Sequence, residues 1–245
     1  MAAEDTRRTR ILLDHLGAHP RLLAVHEHSE AEQAPSVVAH LAEGRSVALV
    51  TDAGTPGVSD PGARLVRAVR DAGLPVVPVP GPSAVATALS ASGVPADRYL
   101  FLGFPARKGK ERAADLARAA SERWAVVFYE APARLAGLLA DLGEACGPDR
   151  TAVVARELTK VHEEFRRGTL KELAAWYDAH PPKGEVTLVL EGAALEDPAP
   201  DASTVREAAA ALLAQGLSRK DVVGRLTAST GLSRNAVYRL VMELP

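Results

Sequence analysis

Two loops and two mixed-charge clusters hold the groups with which this sequence could do chemistry. The first loop, Asp52-Ala53-Gly54-Thr55-Pro56-Gly57, and the second, Pro80-Gly81-Pro82-Ser83-Ala84, consist mainly of small residues and prolines. Glycine relaxes the backbone and proline fixes a turn, so a ligand can approach main-chain N–H and C=O groups closely. An ordinary glycine-rich turn has the same composition. Glu4-Asp5-Thr6-Arg7-Arg8 and Arg156-Glu157-Leu158-Thr159-Lys160 set carboxylates beside cations. That mixture suits proton movement near a phosphate, and structural ion pairs share it. Neither loop has Gly-x-Gly-x-x-Gly spacing, and no Gly-x-x-x-x-Gly-Lys-Ser/Thr stretch occurs, which excludes a dinucleotide fingerprint and a P-loop. His26-Glu27-His28 puts two histidines on one face of a strand end. No clear third ligand accompanies them, and we assign no metal.

The elements that position these loops are legible from periodicity. Ser46 to Thr51 reads as a buried parallel strand emptying into the first loop, and Leu74 to Val79 as an equivalent run emptying into the second. Helix patterns follow both. Leu65, Val66 and Val69 precede a stop at Gly73, and Val85, Leu89 and Ser92 follow an N-cap at Ser83. Loops at the carboxyl ends of strands bind ligands in open α/β sheets, so two in succession predict a shared crevice. Upstream, Asp5 or Thr6 caps a helix carrying Ile11, Leu12 and Leu16, with no strand expected ahead of it. Leu22 to His26 is a short strand, and Glu32 to Ala42 a helix with Val37, Val38 and Leu41 inward.

Turn residues cluster at 92–98 and mark a domain boundary. Beyond it, strands are expected at Tyr99 to Phe104, Trp124 to Tyr129, Thr151 to Ala155, Glu163 to Arg167 (an edge) and Val186 to Glu191. Helices carry Leu135 to Leu142 and Leu170 to Tyr177. This alternation predicts an α/β protein with an N-terminal domain at 1–94 and a second α/β domain at 95–195. Glu196 to Ala202 reads as a linker. Residues 203–245 form a helical module in which Ser218, Gly231 and Ser233 punctuate a helix-turn-helix-like pattern. A helical cap on the domain or a dimer contact would give the same pattern.

With 29 basic residues against 31 acidic ones, net charge decides nothing about an RNA partner. The single cysteine, Cys146, excludes a disulfide framework and fits a reducing, cytoplasmic setting. No apolar run reaches transmembrane length.

The motifs Ala3-Glu4-Asp5-Thr6-Arg7-Arg8-Thr9, Asp52-Ala53-Gly54-Thr55-Pro56, Pro80-Gly81-Pro82-Ser83-Ala84, Phe128-Tyr129-Glu130-Ala131-Pro132, Ala155-Arg156-Glu157-Leu158-Thr159-Lys160 and Lys183-Gly184-Glu185 follow in that order. Together they resemble the small-subunit (16S) ribosomal RNA cytidine 2′-O-methyltransferase I family of the tetrapyrrole methylase superfamily, over essentially the whole chain. The resemblance implies S-adenosyl-L-methionine as cofactor, folded in a cleft between two α/β domains of a homodimer. It also implies a cytidine ribose of 16S rRNA in the small ribosomal subunit as substrate. On these motifs Asp52, Ala53, Gly54, Thr55, Pro56, Pro82, Ser83 and Ala84 would hold one face of the cofactor, and Tyr129, Gly184 and Glu185 the other. Glu4, Asp5, Arg7, Glu157 and Lys160 are expected on the reacting side, with Asp60 and Glu130 as further candidates for the base. Arg8, Arg107, Lys108, Lys110 and Arg112 are expected to meet RNA phosphates.

Two departures from the family pattern stand out. The family's first N-terminal strand and its Ala-Thr-Pro-Ile-Gly-Asn-Leu loop are missing, and Gly-Phe-Leu-Pro-x-Lys is here Gly103-Phe104-Pro105-Ala106-Arg107-Lys108. The competing readings are a corrin or tetrapyrrole methylase and a ligand-sensing, DNA-binding regulator.

Overall fold

The computed structural model describes residues 1–194 and 201–244. All but the end of the expected linker, Glu196 to Ala202, therefore lies outside the described residues. Two compact units separate, Met1–Ala193 and Ala194–Pro245.

The first unit opens on a strand, β1 (Ala2–Ala3), where the sequence suggested none. It is the centre of a parallel three-stranded sheet with β2 (Leu23–Ala24) on one side and β3 (Leu49–Val50) on the other. Two fully buried alanines fit between their neighbours, with Ala2 N–H donating to Ala48 O and Val25 N–H to Ala3 O, both at 2.8 Å. Helices α2 (Glu30–Ala42) and α3 (Ala63–Asp71) cover this sheet through Val37, Leu65 and Val69. Helix α1 (Thr6–His15) is capped by Asp5 and turns Thr9 and Leu13 inward, leaving Ile11, Leu12 and Leu16 exposed.

The strand expected over Leu74 to Val79 is a correction: these residues are irregular, and Val77 and Val79 are 79% and 84% exposed. Pro75, Pro78 and Pro80 withhold the N–H groups that a ladder requires. No strand among the described residues lies beyond β3 to receive the run. The Ser46 to Thr51 strand likewise contracts to the half-buried pair Leu49–Val50.

The second sheet has the order β4-β5-β8-β6-β7, from β4 (Tyr99–Phe101), β5 (Ala125–Glu130), β6 (Thr151–Arg156), β7 (Glu164–Thr169) and β8 (Val186–Leu190). β4 is parallel to β5, whereas β8 runs antiparallel to both β5 and β6. Successive residues of β5 alternate between two buried faces. Val126 and Phe128 pack with α6 (Leu135–Cys146) and α7 (Leu170–Ala179), and with Ala119 of α5 (Gly109–Ser121). Ala125 and Val127 pack against Val85, Ala88 and Leu89 of α4 (Ala84–Ser92). The helix that follows the second loop thus rests on the second sheet, although its residues precede the 92–98 boundary.

The second unit has three described helices, α8 (Ala202–Ala214), α9 (Arg219–Thr230) and α10 (Arg234–Met242). Asp201, Ser218 and Ser233 cap them, and Gly231 makes the left-handed turn before α10. Val205, Ala209, Val222, Val223, Leu226, Val237 and Val241 form its core.

Candidate active site

On the first sheet the carboxyl ends of β1 and β3 are tied by side-chain to backbone bonds. Asp52 N–H donates to Glu4 Oε2 at 3.1 Å, and Asp5 N–H donates to Asp52 Oδ1 at 3.2 Å. The Asp5 carboxylate also caps α1 through Arg7 N–H (2.8 Å) and holds the Arg7 guanidinium at 3.1 and 2.8 Å. Those donors press its pKa down to about 2. The two loops share one rim, because Thr55 Oγ1 donates to Pro82 O at 2.9 Å. Gly54 has φ +75°, a conformation that side chains disfavour. The N–H groups of Ala53, Gly54 and Thr55 have no protein acceptor among the described residues. The rest of the loop is anchored from below by buried Glu30. Its Oε1 accepts from Gly62 N–H (3.1 Å) and Leu65 N–H (2.8 Å), capping α3 in place of a local side chain.

On the second sheet, Tyr129, next to last in β5, has its N–H on Gly103 O (2.8 Å) and its ring against Phe101 and Phe104. Glu157 follows β6 in a left-handed conformation (φ +52°). It binds the Gly184–Glu185 turn twice: its N–H donates to Glu185 O at 2.9 Å, and its side-chain Oε1 accepts Glu185 N–H at 2.9 Å. A side chain at Gly184 would overlap the Glu157 carboxyl group. Lys160 Nζ bridges Glu157 (2.8 Å) and Glu185 (3.1 Å). The hydrogen bond to Glu157 chiefly raises the Lys160 pKa, so at neutral pH Lys160 is a cation and not a base.

The rims meet at Ser59-Asp60. A methyl group on Gly103 would lie 3.3 Å from Ser59 Oγ. Asp60 is pushed up to about 6, first by burial and then by the charges of Glu4 and Asp52 from the first sheet and Glu185 from the second. The charges of Glu4, Asp52 and Glu185, drawn from both sheets, all act on Asp60, while Lys160 pairs with Glu185 at 3.1 Å. Arg8 sits 3.4 Å from Asp52. Such a field favours a positively charged ligand and gives Asp60 the proton affinity of a working base.

The tetrapyrrole (corrin/porphyrin) methylase family matches residues 2–174. A ribosomal RNA small subunit methyltransferase I of Synechocystis sp. is 42% identical over the whole chain and 88% of its own length. That of Xylella fastidiosa is 45% identical over 97% of the chain and 87% of its own length. The chain belongs to the ribosomal RNA small subunit methyltransferase I family. Among solved structures, a uroporphyrin-III C-methyltransferase of Thermus thermophilus complexed with S-adenosyl homocysteine shares the fold. It has a TM-score of 0.54 and 18% identity, covering 78% of this chain and 84% of that one.

In this member of the ribosomal RNA small subunit methyltransferase I family, the predicted residues fall into three groups. Asp52 to Pro56 and Pro82 to Ala84 line one rim, and Tyr129, Gly184 and Glu185 the other. The small side chains, the free N–H groups at 53–55 and the surplus of carboxylates fit a cationic cofactor such as S-adenosyl-L-methionine. Glu4, Asp5, Arg7, Glu157 and Lys160 are brought to these rims, but their polar atoms are largely committed to one another. Arg107, Lys108 and Lys110 are exposed, whereas Arg112, on α5, donates to Asp141 (2.6 Å) and Ala106 O (3.0 Å) and so clamps the 103–108 loop that precedes the helix. Glu130 is buried beside Arg134 at 3.1 Å, and Arg134 donates to Pro105 O at 2.7 Å, securing the same loop from its other side. Glu30 escaped the sequence reading because a lone glutamate at a helix start carries no signal of a remote partner. Asp60 was visible as a carboxylate among turn residues, but its surroundings were not.

Proposed function

We propose that the chain methylates the 2′-hydroxyl of a cytidine in 16S rRNA of the small ribosomal subunit. S-adenosyl-L-methionine, when bound, supplies an electrophilic sulfonium methyl group. Ala53, Gly54 and Thr55 offer N–H donors to it from one rim, with Pro82, Ser83 and Ala84 beside them, while Tyr129 and Gly184-Glu185 wall the other. Asp60 accepts the proton of the ribose hydroxyl, and Glu4 and Asp52 keep its affinity for that proton high. Lys160, held protonated by Glu157 and Glu185, faces the substrate phosphate. Asp5 and Arg7 fix the start of α1, and Arg8, Arg107, Lys108 and Lys110 meet neighbouring phosphates. Holding hydroxyl, methyl donor and base together supplies most of the rate.

The observation that carries this reading is the shared rim of the two loops, where Thr55 Oγ1 donates to Pro82 O at 2.9 Å and the N–H groups of residues 53–55 have no protein acceptor among the described residues. Residues 1–94 and 95–195 act as the two lobes of the cleft. The exposed Ile11, Leu12 and Leu16 offer an apolar surface for a homodimer. No described helix is long and apolar enough to cross a membrane, and a substrate in the ribosome places the enzyme in the cytoplasm.

The test is transfer of labelled methyl from the cofactor into 30S subunits lacking the modification, followed by nucleoside analysis. Label in a 2′-O-methylcytidine is expected. Label confined to tetrapyrrole substrates, or none in rRNA, contradicts the assignment.

A further inference from the structure

The helical unit takes no part in the chemistry described above, yet it carries a charged groove of its own. Between residues 218 and 240 it holds five basic side chains against one acid, Asp221, in a chain of formal net charge −2. A groove of about 650 Å³ is lined by Leu217, Lys220, Asp221, Gly224, Arg225 and Arg234. Asp221 is drawn aside by Ser218 Oγ at 2.6 Å. Among the described residues Lys220, Arg225 and Arg234 have no ion-pair partner, so their charges face solvent.

Gly224 supplies an independent observation. It lies in the interior of α9, where glycine costs about 1 kcal/mol relative to alanine. Nothing lies within 4 Å of the position where its side chain would start, so packing within the unit does not require a glycine. It leaves the floor of the groove bare between the basic side chains. One turn beyond Arg234, Tyr238 is half exposed on α10 and presents a ring beside the same surface.

We propose that this groove is a second RNA-binding site, distinct from the methyl-transfer site. The sugar–phosphate backbone of an rRNA segment crosses Gly224 at close range. Lys220, Arg225 and Arg234 neutralise its phosphates, and Tyr238 stacks on an adjacent base. The identity of the ligand rests on the rRNA-methyltransferase reading. A phosphate backbone is favoured over an acidic peptide because three separated cations line the trough and Leu217 is the one large apolar residue in its described lining. Joined in one chain to the catalytic unit, the groove raises the local concentration of substrate at the cleft.

The experiment compares full-length wild type, Lys220→Glu/Arg225→Glu/Arg234→Glu and Gly224→Leu. Each is titrated with 16S rRNA between about 50 and 200 mM salt, with cofactor affinity measured by calorimetry. The triple variant is expected to bind rRNA at least about tenfold more weakly, with a salt slope shallower by about 2 to 3, and to keep its cofactor affinity. Gly224→Leu fills the trough without removing charge and should weaken rRNA binding severalfold without lowering the melting temperature. It decides the matter if the triple variant is misfolded. Unchanged rRNA affinity in a folded triple variant, or in Gly224→Leu, overturns the proposal while wild-type methylation of rRNA leaves the catalytic reading intact. Tighter binding of wild type to random duplex DNA than to rRNA at equal salt also overturns it.

Discussion

The inner strands of the second sheet are five or six residues long and buried on both faces, whereas the three strands of the first are two residues each. Leu188, Val189 and Leu190 of β8 are essentially sealed from solvent, while Leu49 and Val50 of β3 are only half-buried. The first sheet compensates with side-chain ties, from Glu4 to Asp52 at its strand ends and from Glu30 at the start of α2 to Gly62 and Leu65 at the start of α3. One half of the molecule is thus a packed platform, and the other is a set of loops held at their anchor points. Loops of the kind held at the softer edge are where a rigid scaffold leaves room for a ligand.

The strongest way to break this contrast is to cut one large side chain from each sheet. Phe128→Ala should destabilise the protein by about 3–5 kcal/mol in urea unfolding, and Leu49→Ala by only about 1–2 kcal/mol. Equal losses would abolish the distinction. Gly184→Ala should cost about 2 kcal/mol, because it forces a left-handed alanine against the Glu157 carboxyl group. Its melting temperature and cofactor affinity should fall together, since the second rim moves. Glu30→Gln keeps one acceptor oxygen and loses the charge on it, so about 1 kcal/mol is expected. The loss should appear as faster amide exchange at Gly62 and Leu65 with β8 unaffected.

The smallest effect has the opposite sign. The Asp60 carboxyl is raised from 3.8 to about 6, so the folded state holds an extra proton between those values. Stability from this group is present at low pH and lost as pH rises through about 6. Asp60→Asn should therefore stabilise the protein at pH 8, by less than about 1 kcal/mol after solvent screening, and do nothing at pH 3. A fall in melting temperature at pH 8 would show that the Asp60 charge is compensated.

The second sheet was readable because its strands are long apolar runs and its helices keep their period. Five strands and their flanking helices fall within a few residues of the sequence expectations. In the first sheet β2 and β3 lie inside the expected runs 22–26 and 46–51, but β1 does not show in the sequence, because a two-residue strand such as Ala2–Ala3 has no period to detect. Leu74 to Val79 departs from expectation for a related reason: its β-branched residues favour a strand, and Pro75 and Pro78 withhold the N–H groups a ladder needs. The helical unit was legible from its serine caps and Gly231, which are local signals. At the site, the motifs named the loops, but the ties between them span 27 to 48 positions in sequence. The Asp5 cap is local and legible in the sequence, whereas the raised proton affinity of Asp60 depends on charges brought together from distant positions.

The measurement that bears most directly on the site is the pH dependence of kcat/KM for rRNA methylation by wild type and by Asp60→Asn. With Asp60 as proton acceptor, the wild-type rate should climb with pH up to about 6 and then level off. The variant should lose that inflection and fall by about 10²- to 10⁴-fold with cofactor affinity retained. A variant that turns over at the wild-type rate, or one that keeps the inflection near 6, would contradict the role given to Asp60 and to the carboxylates gathered around it.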